Sequence, residues 1–185
     1  SYDPCFGYEL AVIVHDGLQR MYVNQERVFY YLTVMNENYE HPEMPQGAEE
    51  GIKRGMYQFE KDEKATVQLL GSGVILREVI KAAKILRDEY QIHSNVWSVT
   101  SFNELAREGM AVEEYNRLHP LEDGKEAWVS QQLRGTDGIV VSATDHVRAY
   151  SEQIRAYLPD SRPFVALGTD GYGHTDTRGS MRSYF

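Results

Sequence analysis

Along the middle of the chain, apolar residues switch from a short continuous run to helical spacing and back. Residues 65–70 (ATVQLL) make the first run, and Gly71-Ser72-Gly73 breaks it. Ile75, Val79, Ala83, Leu86 and Tyr90 then fall three or four apart, with Arg77, Lys81, Lys84 and Asp88 between them. That spacing predicts an amphipathic helix over 74–90. Residues 96–99 (VWSV) make the second run. Strand, helix and strand form a βαβ unit. A parallel crossover covers a sheet face, so the unit predicts an α/β layered domain.

The pattern continues on both sides of this unit. Residues 55–60 (GMYQFE) alternate like an edge strand, and the polar turn 61–64 leads into residue 65. A hairpin there would put one antiparallel strand at the edge of a mostly parallel sheet. Ser101 and Glu104 have the spacing of a capping box, at the head of a helix that His119-Pro120 stops. A shorter helix follows with Trp128 and Leu133, then a strand over 139–143 (IVVSA). Asp145 is placed to cap a helix over 146–158 whose buried face is Val147, Tyr150, Ile154, Tyr157 and Leu158. Residues 164–167 (FVAL) read as the last strand, before the glycine-rich 168–173 and a new helix from about Thr177.

The first 46 residues read differently. Asp3-Pro4 resembles a helix start, and Phe6, Leu10, Ile13 and Val14 recur at helical spacing with Tyr8 and Val12 on a second apolar side. A helix apolar on so many sides is expected to be largely buried. It continues to Tyr22, and residues 28–35 (VFYYLTVM) have the β-branched and aromatic density of a buried strand. Residues 36–46 carry two prolines and no periodicity, so they form a loop or linker. Helix then strand is half of an α/β unit whose neighbours would precede Ser1. The expected organisation is therefore a domain remnant over 1–46, a linker with edge strand over 47–64 and a domain over 65–185. A start without methionine and an end inside a helix make the chain read as a piece of something longer.

Composition narrows the partners. The chain of 185 residues carries 19 basic and 28 acidic side chains, a net charge of -9, which opposes nucleic acid or an anionic membrane surface as partner. The longest uninterrupted apolar run, residues 10–14, falls far short of the roughly 20 residues of a membrane helix. A single cysteine, Cys5, excludes an internal disulfide framework, and no secretory leader pattern opens the chain; a cytoplasmic, reducing location fits.

Four constellations invite chemistry. Gly71-Ser72-Gly73 supplies two glycines of a dinucleotide fingerprint, but Leu76 stands at the third and no acid ends the second strand at Val99, so a plain tight turn is the better reading. Gly168-Thr169-Asp170-Gly171-Tyr172-Gly173-His174 lies between a strand and a helix, where backbone N–H groups can bind an anion. No lysine follows as in a P-loop, and a structural loop is favoured there. Asp170, His174 and Asp176 form only a weak candidate for a metal. His15-Asp16-Gly17 with the downstream Asn36-Glu37-Asn38 echoes the Gly-Asp-Gly and Asn that bind magnesium and thiamine diphosphate. The echo fails at its first glycine, in its short spacing and in its placement within a helix pattern. His15 alone reads first as a packing residue.

The strings SYDP (1–4), GYE (7–9), HDGL (15–18), NENY (36–39) and GAEEG (47–51), with VQLLGSG (67–73), SVTSF (98–102), LHPLE (118–122) and GTDGYG (168–173), resemble the homodimeric bacterial pyruvate dehydrogenases. These are thiamine diphosphate-dependent enzymes of the transketolase-like family, and the likeness runs along nearly the whole chain. It implies that residues 1–46 end a pyrimidine-binding domain. It also implies that 65–185 form most of a transketolase C-terminal-like three-layer domain. The implied reaction is decarboxylation of pyruvate, with the two-carbon unit passed to lipoyl on a dihydrolipoyl acetyltransferase. Thiamine diphosphate and magnesium would be held by residues upstream of Ser1, so no cofactor-binding or metal residue is assigned here. The position of His15 resembles one lining the family's active-site channel, where an imidazole can hydrogen-bond a substrate-derived carboxylate or hydroxyl, or shuttle a proton. Set against this, the acidic charge and the absence of cofactor motifs favour an assembly module without chemistry of its own for the 185 residues alone, while the family strings favour the enzyme for their parent.

Overall fold

In the computed structural model, residues 1–35, 37–171 and 174–184 are described. Four parallel strands, β2 (Val67–Gly71), β3 (Ser94–Ser98), β4 (Ile139–Ala143) and β5 (Phe164–Leu167), are joined by β1 (Tyr57–Glu60), which runs antiparallel to β3. The order across the sheet is β1-β3-β2-β4-β5. Leu69 of β2 stands opposite both Val96 and Val141, so β2 lies at the centre of the sheet.

Alternate residues of each strand enter two cores. Leu70, Trp97, Val140 and Phe164 point to one face, where α4 (Phe102–Leu118), α5 (Trp128–Leu133) and α6 (Arg148–Glu152) supply Phe102, Leu105, Leu133 and, just beyond α6, Ile154. Leu69 and Val96 point to the other, against Leu76, Val79 and Ala83 of α3 (Ile75–Tyr90). Crossovers that run in opposite directions along a sheet and keep the right hand put their helices on opposite faces. On this face α3 packs mainly on β2 and β3, and Val141, Ala143 and Leu167 border an open apolar groove beside it of about 620 Å³. The βαβ unit, the antiparallel edge strand and the layered α/β class are as the residue pattern predicts, and the three layers are as the resemblance implies.

Several local expectations are corrected. The first helix, α1 (Gly7–Leu18), starts from Phe6 rather than Asp3, and continues as a π turn, Gln19–Val23. Asp3 is buried and bonded to other segments, so Glu9 rather than Asp3 satisfies the N–H groups at the helix start. Of α1, only Glu9, Ile13 and Gly17 are buried, since α2 (Glu49–Arg54) and the sheet cover a single side. Residues 28–35 form no strand among the described residues, because no neighbouring strand offers a ladder; Leu32 makes one isolated parallel bridge to Tyr2. β1 pairs with β3, so β1 and β2 are not a hairpin. The helix expected over 146–158 begins after Val147 rather than at an Asp145 cap. It gives way after Glu152 to a 3₁₀ turn at Arg155–Tyr157, and Pro159 holds Leu158 extended. The Ser101 cap is present: its Oγ accepts the Glu104 N–H at 2.9 Å and donates to the Ser1 carbonyl at 2.6 Å.

Candidate functional site

The chain reverses direction across the sheet between β2 and β4, and the crevice beyond the carboxyl ends of such strands is where open α/β sheets usually bind ligands. Here residues 1–6 of the chain itself fill it. Asp3 donates its N–H to the Thr100 carbonyl at 2.7 Å, and its own carbonyl accepts the Gly73 N–H at 3.0 Å. Its carboxylate, buried with the residue 2% exposed, accepts from Thr33 Oγ1 at 2.6 Å and the Tyr150 hydroxyl at 2.9 Å. His146 Nε2 stands 3.3 Å away. Burial, and then the Asp3 carboxylate, push the Tyr150 phenol well above its ordinary value, which keeps it a donor.

The Gly71-Ser72-Gly73 turn is thereby explained. Gly73 takes a left-handed φ of 53°, and a Cβ on Gly71 would lie 2.7 Å from Leu76 Cα, so close helix packing and a sharp turn require both glycines. The N–H that a dinucleotide phosphate would seek is bound to Asp3, and Ser72 N–H reaches Ala143 O at 3.2 Å. The turn is a seat for the chain's own beginning.

A second buried carboxylate lies at the head of α1. Glu9, 0% exposed, accepts the N–H groups of Cys5 at 2.6 Å and Phe6 at 2.9 Å. It also accepts the hydroxyls of Tyr57 at 2.7 Å and Ser98 at 2.6 Å. Tyr8 and Tyr57 share a further hydroxyl contact of 2.7 Å. Burial first, and the Glu9 charge second, raise Tyr57 far above the usual phenol range. Burial likewise pushes the neighbouring Cys5 thiol up to about 12, so it stays neutral and packs as an apolar side chain. Reading the residues for catalytic motifs missed Glu9. Its signal was a lone carboxylate among the apolar positions of α1, three residues after a helix-start turn.

His15 stands near the end of α1 with its side chain exposed, and no hydrogen bond to it is made among the described residues. It shares a face with Ala11, Val14, Leu18 and, in the π turn, Tyr22, spaced three or four apart. Leu18 is 52% and Tyr22 79% exposed. His15 is thus the polar member of an otherwise apolar stripe with nothing packed on it among the described residues. Asp16 turns the other way and accepts the Tyr30 hydroxyl, which also takes a hydrogen bond from Arg20 at 3.2 Å. Burial, followed by the bond to Asp16, raises Tyr30 to about 12. Asn36 of the magnesium-like echo lies outside the described residues; Glu37 pairs with Arg77 at 3.2 Å.

The glycine-rich loop is held by its own carboxylate. Asp170 accepts the Arg148 N–H at 3.0 Å at the start of α6 and pairs with the Arg148 guanidinium, and these two bonds hold its carboxyl below the usual range. Tyr172 and Gly173 of that motif lie outside the described residues. His174 packs on the Tyr184 ring, 4.6 Å between centroids, away from Asp170. No group of three His, Cys, Asp or Glu that could hold a cation occurs among the described residues.

Comparison with known proteins gives these features a family. Residues 55–185 match the transketolase-like C-terminal domain, and residues 1–42 match the middle domain of the pyruvate dehydrogenase E1 component. Among curated proteins, the pyruvate dehydrogenase E1 components of Cupriavidus necator, Pseudomonas aeruginosa and Escherichia coli K12 are 55%, 53% and 50% identical over the whole of this chain. The chain spans 21% of the length of each of these relatives. With a five-stranded α/β sheet of the expected kind over most of its length, this chain belongs to the family of the transketolase-like C-terminal domain.

Proposed function

We propose that the chain is the C-terminal part of a thiamine diphosphate-dependent pyruvate dehydrogenase subunit that works in the cytoplasm as a homodimer and passes its two-carbon product to a lipoyl-bearing acetyltransferase. Residues 1–46 would end the pyrimidine-binding domain, 47–64 would link, and 65–185 would form the C-terminal domain. The observation that carries this reading is His15 on its bare apolar stripe, supported by the likeness to the named relatives over every residue of the chain. A stripe of this kind is built to be covered. In the parent protein the cover would come from the rest of the middle domain, leaving the imidazole as the polar group in an apolar wall facing the reaction space.

When bound in the parent, thiamine diphosphate would supply the electron sink for loss of carbon dioxide. The residues of this chain would contribute orientation and hydrogen bonding. His15 would donate to, or accept from, the oxygens left on the substrate-derived carbons, while Asp16, engaged by Tyr30, would hold the last turn of α1 in place. The test is turnover. The full-length parent with thiamine diphosphate and magnesium is expected to release carbon dioxide from pyruvate, and the 185-residue chain to release none. A parent that ignores pyruvate, or a fragment that consumes it, sinks the reading.

The groove beside α3 favours a second, compatible role in assembly. It is lined by Leu69, Val79, Ile85, Val141, Ala143 and Leu167, with Glu78 as its acidic member. At a net charge of -9 two copies repel one another, so contact between them must be made through an uncharged face such as this one. The isolated chain is therefore expected to self-associate through the groove, more strongly as salt screens the repulsion. Light scattering at rising sodium chloride should show dimers, and Val141→Lys should leave monomers; a wild-type chain that stays monomeric throughout excludes this role.

A further inference from the structure

Glu9 is fully buried, and no cation pairs with it among the described residues. A buried carboxylate is an expensive way to fill space, since an apolar side chain of similar volume often leaves a protein as stable or more so. What the carboxylate gives is direction. Its four donors come from three places: the turn before α1, β1 through Tyr57 and β3 through Ser98. Together they fix both the height and the angle at which α1 leaves the sheet.

The helix carries that constraint to its other end. His15 lies six residues beyond Glu9, roughly 9 Å along the axis at 1.5 Å per residue. A tilt of about 10° at the Glu9 anchor therefore displaces His15 by roughly 1.6 Å on this geometry. Misplacement of a catalytic group by about 1 Å costs on the order of 10²-fold in rate. We propose that Glu9 is a positioning residue, which acts on the reaction through the placement of His15. This rests on the reading of His15 given above.

A double-mutant cycle in the full-length enzyme tests it, with pyruvate turnover as the readout. Glu9→Gln keeps the shape but removes the charge and puts an NH₂ where an oxygen accepts from the Tyr57 and Ser98 hydroxyls, so both of those hydrogen bonds must reverse direction. It is expected to lower kcat at least about tenfold with KM within about twofold. In a His15→Ala background the same change is expected to lower kcat by less than about twofold, because the group it positions is gone. Equal losses in both backgrounds would mean general loosening of the fold and would overturn the proposal, as would an unchanged kcat for Glu9→Gln. Should that variant fail to fold, Ser98→Ala and Tyr57→Phe each remove one donor and leave the carboxylate, and the same cycle applies to them. A silent His15→Ala overturns both the reading of His15 and the role of Glu9. A damaging His15→Ala with additive Glu9→Gln overturns only the latter.

Discussion

Phe102→Ala is expected to destabilise the 185-residue chain by about 3–5 kcal/mol, the range for deleting a fully buried aromatic ring. Phe102, at the first turn of α4, is 0% exposed and is the bulkiest fully buried side chain among the described residues. Its ring meets Tyr150 edge-on at 5.8 Å, and the Tyr150 hydroxyl in turn serves Asp3. The cavity therefore opens beside the buried carboxylate as well as within the apolar layer, which places the effect toward the upper end. Urea unfolding followed by far-ultraviolet circular dichroism measures it. Leu118→Ala, at an exposed position of the same helix, is the control and should stay within about 0.5 kcal/mol. A Phe102→Ala loss no larger than that of Leu118→Ala would contradict the packing described for this face.

His15→Ala in the full-length parent is expected to lower pyruvate turnover by about 10²-fold, the usual scale for losing a positioned hydrogen-bonding or proton-transferring group. The variant should fold as well as wild type, because nothing among the described residues is bonded to the imidazole. Activity and stability are thus separable at this position. His15→Gln divides the two chemical roles: an amide restores a hydrogen bond to substrate oxygens but carries no proton between them. Recovery to within about tenfold of wild type would assign His15 to hydrogen bonding; a variant as poor as His15→Ala would assign it to proton transfer. Unchanged turnover in His15→Ala would remove the residue from the site.

Much of this fold was legible because β2 and β3 are buried on both faces and α3 is strongly amphipathic. β4 ends where its apolar run ends, and α3 begins one residue after the expected position, since each pattern matches one period without competition. Residues 28–35 were misread for the converse reason. Their β-branched and aromatic side chains suit a strand, but strand structure requires a ladder partner, and the one bridge available comes from Tyr2. The buried acids were invisible as sites because what distinguishes Asp3 and Glu9 is their donors, which arrive from residues 30 to 147 positions away along the chain or from a local backbone turn. His15 is intermediate. The apolar character of its helix was plain in the spacing of Leu10, Ile13 and Val14, but that Val14 and Leu18 beside it face outward is a tertiary fact.

The crevice filled by residues 1–6 has a practical reading for anyone cutting this protein into parts. The two family matches suggest a cleavage point near residue 46, yet no surface of separation runs there in space. An excision starting at Gly47 would strip the Thr100 carbonyl, the Gly73 N–H, the Tyr150 hydroxyl and the Ser98 hydroxyl of their partners at one stroke. The cut would also leave facing water the apolar side chains that residues 1–46 cover, Ile52, Tyr57 and Val96 among them, a loss of several kcal/mol at about 25 cal/mol per Å² against an ordinary domain's marginal stability. Residues 1–9 are thus bonded to the half of the chain that follows residue 47, and an excision there would cut hydrogen bonds as well as a linker.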